Sequence, residues 1–233
     1  MSRDLARDAE LGRLARVLGV EVEALDVLAD AEPEDLRALT QSIAEHLHHR
    51  HAGAFDRAIA VAGKLPSAMT AKLAQHAMGP ALSARAAGLL EPKQAADLAK
   101  RLPPLFLADV AVHADLRQVG PLVEGLSPDV MGEAGAALRE REEWIVLGAF
   151  VGHVDEDALV ELVDVFDAEA LLRVGPFVDA PERFDTIFSA LSDERLDDLV
   201  GAAADLDLGT QLDAMVEHLS DDQAARLDAA RVS

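Results

Sequence analysis

The densest set of chemically able side chains in this sequence is Glu45-His46-Leu47-His48-His49-Arg50-His51. On a helix, Glu45 and His49 stand four apart and His46 and His49 three apart, so either pair can share one face. A carboxylate and two imidazoles in that arrangement are ligands for Zn²⁺ or a similar ion. The string is not H-E-x-x-H, however, and consecutive histidines point in several directions. The competing reading is an exposed helix end, where His complements the negative pole of the helix dipole. A pH-sensitive binding role is a third.

Two further histidines stand out by position. His153 and His218 each stand immediately before a similar acidic helix start, Val154-Asp155-Glu156 and Leu219-Ser220-Asp221. Each could bond to the neighbouring turn or to Asp155 and Asp221, and equivalent placement points to equal packing. His113-Ala114-Asp115 and His153-Val154-Asp155 share an H-x-D string, but no nucleophile or third group accompanies either. Glu140-Arg141-Glu142-Glu143 and Asp155-Glu156-Asp157 could attract cations, yet neither has the ordered ligands and central glycine of an EF-hand loop. No phosphate-cradling glycine loop, G-x-S-x-G or zinc-protease motif is present. The most apolar segment, Trp144 to Val154, offers Trp144, Phe150 and His153 as residues of a ligand groove, with a core position as the other reading of Trp144.

The elements that would carry these groups are written in a recurrent helix-start signal. Six segments share an apolar or small residue, a cap-like polar or acidic residue, Pro or an acid, and then a helical apolar face. They begin at Ala31, Leu90, Leu126, Val154, Leu191 and Leu219. Taken in pairs, the last five recur as 90 to 154, 126 to 191 and 154 to 219. A fixed unit of about 64–65 residues is the mark of a helical repeat array. His153 and His218 are equivalent positions in two successive units.

Each start has a physical cause. In LSDERLDDL, Ser192 can cap the first turn, and Asp193 and Glu194 sit at the positive end of the dipole. Leu191 and Leu196 have the spacing of a hydrophobic staple, and Ser220 and Gln223 that of a capping box. Pro33, Pro92 and Pro128 fall at first helical positions, where a missing N–H costs nothing. Gly79-Pro80, Gly120-Pro121 and Gly175-Pro176 read as helix ends followed at once by new starts. Residues 3–29 read as one or two amphipathic helices broken near Gly19. Arg3, Arg7, Arg13 and Arg16 make this the one basic stretch, either a cap whose arginines pair with acids or a docking arm.

The segment LEPKQAADLAKRL, through Leu90, Pro92, Ala95, Ala96, Asp97, Leu98 and Leu102, resembles the N-terminal superhelical domain of bacterial magnesium transporters. Flagellar motor-switch helical repeats have a similar pattern, and the likeness recurs at Leu191–Leu199. The resemblance implies a right-handed stack of short helices. It does not bring Mg²⁺ sensing with it, because the membrane and nucleotide-sensing regions of such transporters have no counterpart here.

Composition narrows the function. The formal net charge of −22 argues against a nucleic-acid backbone or an anionic membrane as partner. With no cysteine, disulfides, thiolate metal sites and cysteine nucleophiles are excluded. The charged N-terminus lacks an apolar signal core and the longest apolar run is too short to span a bilayer, so a cytoplasmic location with no membrane insertion is expected. Half of the residues are hydrophobic, but with seven Phe, one Trp and no Tyr the core must be made of Ala, Leu and Val. Small side chains suit closely stacked helices.

The sequence therefore predicts an all-α, α-solenoid-like superhelical stack, with an N-terminal cap region at 1–53 and a repeat domain at 54–233, or one continuous domain. The expected function is a non-catalytic protein-interaction module, because repeat stacks present extended concave faces. The alternative is a small-molecule or lipid binder with an apolar cavity. A metal protein or enzyme built on Glu45, His46 and His49 is the third reading. No cofactor is required by the sequence, and the oligomeric state is not written in it.

Overall fold

The computed structural model describes residues 3–18, 20–49 and 66–231, with backbone alone for 3–5 and 44–49. Among the described residues the chain is all-α, without a strand. Helix α1 (Arg3–Leu18) leads through a 3-10 segment (Val22–Leu28) to α2 (Pro33–His49). From residue 67 onward the helices are short: α3 (Ser67–Leu73), α4 (Gly79–Ala87), α5 (Pro92–Ala99), α6 (Pro104–Val112) and α7 (Leu116–Val123). Next come α8 (Pro128–Glu140), α9 (Trp144–Val151), α10 (Glu156–Val163), α11 (Ala168–Val174) and α12 (Arg183–Ala190). They are followed by α13 (Asp193–Asp205), α14 (Gly209–Val216) and α15 (Asp221–Ala230). The boundary expected at residues 53 and 54 lies outside the described residues.

All six start signals begin helices, at α2, α5, α8, α10, α13 and α15. Their caps differ in detail. Ser192 accepts from the Arg195 N–H at 3.3 Å, as expected of an N-cap. The capping box at Ser220 does not form. Its Oγ and N–H instead donate to Asp185 Oδ1 at 2.6 and 2.9 Å, and Gln223 accepts from Arg226. Asp115 and Asp167, outside the recurrent signal, supply side-chain caps to α7 and α11.

The three Gly-Pro pairs behave differently from one another. Gly79, at φ 74°, joins a π-helical segment (Ala74–Met78) to α4. Gly175-Pro176 forms a 3-10 turn at the end of α11. Gly120-Pro121 does not end a helix; it lies inside α7. That helix stops two residues after Pro121, so little of its hydrogen-bond ladder is forfeited.

A helix of two turns cannot bury a core alone. Here α14 packs on the Gly175–Phe177 turn and on α13, whereas most short helices pack on the helix two places away. Such pairs run from α3 with α5, through α4 with α6 and α5 with α7, to α11 with α13 and α13 with α15. Glycine permits several close approaches. A Cβ at Gly148 on α9 would lie 2.5 Å from the carbonyl carbon of Phe177. One at Gly120 would lie 2.5 Å from the His153 ring, and one at Gly175 2.7 Å from Met215 Sδ. Gly120-Pro121 and Gly175-Pro176 thus share a role: each lets a later side chain rest on backbone. The main core gathers Leu159, Leu162, Leu172, Phe188, Leu196 and Leu199, with Leu227 of α15.

Arginines fasten helix ends across the array. Arg195 on α13 donates to the carbonyls of Val163 and Phe166, at and just past the end of α10, and pairs with Asp164. Arg226 on α15 does the same for Phe188 and Leu191 at the end of α12, and pairs with Asp193. Carbonyls at a helix C-terminus lack partners within their own helix, and a cation there also complements the dipole. At the other end, Glu10 on α1 is buried and accepts from both Arg13 and Arg37. Arg13 continues to the Phe177 carbonyl at 2.7 Å and Asp179 at 2.9 Å, and Arg16 pairs with Glu143. Arg13 and Arg16 of the basic stretch are therefore engaged with acids of the chain itself.

Two outcomes follow from this packing. Gly148→Ala forces its methyl into the Phe177 backbone and destabilises the fold by about 1–3 kcal/mol in chemical denaturation. Gly201→Ala, in the middle of α13 with nothing within 4 Å of its added Cβ, stabilises it by about 0.5–1 kcal/mol.

The Asp185 carboxyl titrates below its ordinary range because the Ser220 hydroxyl, and after it the Ser220 backbone N–H, bond to the charged form. A depressed folded value stabilises the protein above the unfolded value, near pH 4, and the contribution fades as pH falls through the folded one. Titration followed by NMR should therefore show the Asp185 midpoint rising in Ser220→Ala. The stability gap between the two proteins should narrow under acid.

Candidate functional site: an apolar groove between the helices

The inner faces of α3 to α12, with Met215 of α14, leave an open groove of about 280 Å³ between them. Its wall is made by residues such as Ala86, Leu98, Val110, Ala134, Phe150 and Leu171. Among the described residues, no charged side chain and no histidine lines it. The only side-chain hydroxyls on this described wall are Thr70 and Ser83, both at its N-terminal end.

The composition explains the hollow. Alanines 74, 86, 87, 95, 99, 111, 114, 134 and 170 all face it. Alanine forms helix readily but fills little volume. Where two helices touch, such residues allow close approach. Where no helix crosses the groove, the same residues leave space. The small-residue composition thus gives both tight stacking and an open interior.

Of the groove residues expected from sequence, Phe150 lines the wall. Trp144 does not; it is half-buried against a cluster with Ala108, Ala137 and Leu138. His153 packs on Gly120 of α7 and stays out of the groove. His218 stacks on Phe184 of α12 with ring centroids 6.0 Å apart. Each histidine follows one helix and rests on the helix two before it. The bonds expected to Asp155 and Asp221 are replaced by this ring packing.

The polar clusters resolve into structural partners. Asp115 caps α7 and pairs with Arg117, so it does not orient His113. Glu143 pairs with Arg16, and Glu156 accepts from Thr186 at 3.2 Å. Among the described residues, no three His, Asp or Glu side chains converge as a metal site requires. Glu45, His46 and His49 lie at the C-terminal end of α2, and their side chains are outside the described residues.

A second hollow of about 250 Å³ is bordered by Arg37, Asp179, Phe184 and His218. Its arginine is already committed. Burial pulls the Arg37 guanidinium down, but the hydrogen bond and charge of Glu10, with Asp179 and Glu34, outweigh it and hold it above its ordinary value.

No helix among the described residues is long and apolar enough to cross a membrane. Compared with known protein families, with curated proteins and with solved structures, the chain matches none.

Sequence reasoning expected an Ala/Leu/Val-rich cavity but named neither Thr70 and Ser83 nor the alanines of its wall. The available signal was the run of alanines between 84 and 114, which cannot fill an interior by themselves. Ala134→Leu, adding three carbons to the wall, should raise stability by about 0.5–2 kcal/mol in thermal denaturation. A loss of stability would mean that this part of the wall is already filled.

Proposed function

We propose that this chain is a superhelical stack of helical repeats whose inner face binds a small apolar molecule. The stack reading is supported by the packing of most short helices on the one two places away and by the recurring helix starts. His153 and His218, one unit apart, each rest on the helix two before the one they follow, which points the same way. The resemblance to the superhelical domain of magnesium transporters agrees with that architecture and with nothing more specific.

The observation that carries the binding reading is the continuous, uncharged wall of a 280 Å³ groove. Protein interiors close-pack, because an unfilled apolar space forfeits dispersion contacts along its whole lining. Apolar pockets with few polar groups are the usual form of small-molecule sites. An occupant of matching shape recovers those contacts. The described wall holds no acid or base, which suits a binding role.

A protein partner is the second reading. The observation favouring it is a set of exposed apolar side chains, Met69, Leu82, Leu89 and Leu105, at the α3–α6 end of the stack. With a net charge of −22, either kind of partner meets the protein away from anionic surfaces, in keeping with a cytoplasmic setting.

Nile red, an uncharged apolar dye, tests the first reading. The full chain should bind it with fluorescence enhancement and a micromolar Kd. Ala134→Phe, which places a ring inside the wall, should weaken binding at least tenfold with an unchanged circular dichroism spectrum. Dye binding that ignores Ala134→Phe would place the dye elsewhere and remove the reading.

A further inference from the structure

We infer that the ligand of this groove is an uncharged amphiphile, a long-chain alcohol or ester, whose polar end is bound by Ser83. This rests on the groove being a binding site, and it adds the ligand's chemical class and its orientation.

The first observation is the Ser83 hydroxyl. Ser83 lies on α4, lines the groove and is 9% exposed, and its Oγ is buried with no hydrogen-bond partner among the described residues. A buried hydroxyl left without a partner is costly, and nearly all such groups in folded proteins are paired. A helical serine ordinarily bonds back to the carbonyl four residues earlier. For Ser83 that residue is Gly79, and the bond is not made. The hydroxyl therefore remains able to serve a molecule in the groove.

The second observation is where polarity lies. Thr70 and Ser83 are the only side-chain hydroxyls on the described wall, and both flank the Ala74–Met78 π-helical segment. Thr70 holds the Pro66 carbonyl only loosely, at 3.4 Å. Everything onward, to Phe184, Ile187 and Met215, is apolar. A π-helical segment is a rare element that recurs at functional sites. Its presence between the two hydroxyls marks this end as the head-group end, with an apolar tail directed toward α12 and α14.

The third observation is charge. Among the described residues no Arg, Lys or His lines the groove, so an ionised head group would be buried without a counter-ion. That cost excludes fatty carboxylates, whereas one neutral oxygen asks for a single donor, which Ser83 supplies.

Displacement of Nile red from the full chain by 1-dodecanol, dodecane and dodecanoate at pH 8 tests the inference. Dodecanol should bind at least tenfold more tightly than dodecanoate. Ser83→Ala should weaken dodecanol about 3–10-fold, the worth of one neutral hydrogen bond, and leave dodecane unchanged. The same variant, rid of an unpartnered hydroxyl, should melt at a higher temperature than the parent, which shows that the weaker binding is not a folding defect. Dodecanoate binding as tightly as dodecanol overturns the neutral-ligand inference. So does an equal response of dodecanol and dodecane to Ser83→Ala. Both results leave the groove itself standing as a binding site. Failure of all three compounds to displace the dye overturns the groove reading and this inference together.

Discussion

The fold depends on one constraint: most of its helices are only two or three turns long and must find burial partners outside their immediate neighbours. Such helices are marginal by themselves, since nucleation is costly and few hydrogen bonds repay it. From α4 onward, consecutive helices are joined by short connections, which turn the chain sharply. The helix two places on then returns to a position where apolar faces meet, and this pairing recurs along the array. Glycines at 120, 148 and 175 bring backbone within reach of a later ring, backbone or thioether.

Electrostatics serves this arrangement more than it defines a reactive centre. Arg195 and Arg226 are placed where helix C-termini leave carbonyls without intrahelical partners, and each adds an acid contact at the same point. Arg13, Arg37 and buried Glu10 tie the first two helices together and to the turn after α11, across 164 residues of sequence. Asp115, Glu143 and Glu156, whose types suit them to chemistry, are occupied in this way. What stays open is apolar: a groove whose described wall lacks charge and whose hydroxyls cluster at one end.

Much of the local structure was legible in the chain. Start signals at residues 31, 90, 126, 154, 191 and 219 correspond to six helices because capping, dipole and proline effects act within one turn. The same locality explains the failures. Gly120-Pro121 has the composition of a break, yet the helix continues, and His153 from beyond α9 packs against it there. Ser220 and Gln223 have capping-box spacing, but Asp185, on α12, competes successfully for the serine hydroxyl.

The sequence by itself determined that the chain is helical, where several helices begin, that its interior is built from small aliphatic side chains and that its net charge is strongly negative. These follow from residue types and short spacings. Only the tertiary structure decided that the alanine-rich faces border a groove instead of a filled core, that Phe150 enters it while Trp144 and His153 do not, and that the Ser83 hydroxyl is left without a partner. Each of those outcomes depends on which helix lies opposite, and on how closely it approaches. Helical periodicity gives a residue its face, but the distance to the facing helix is set by contacts between segments far apart in the chain.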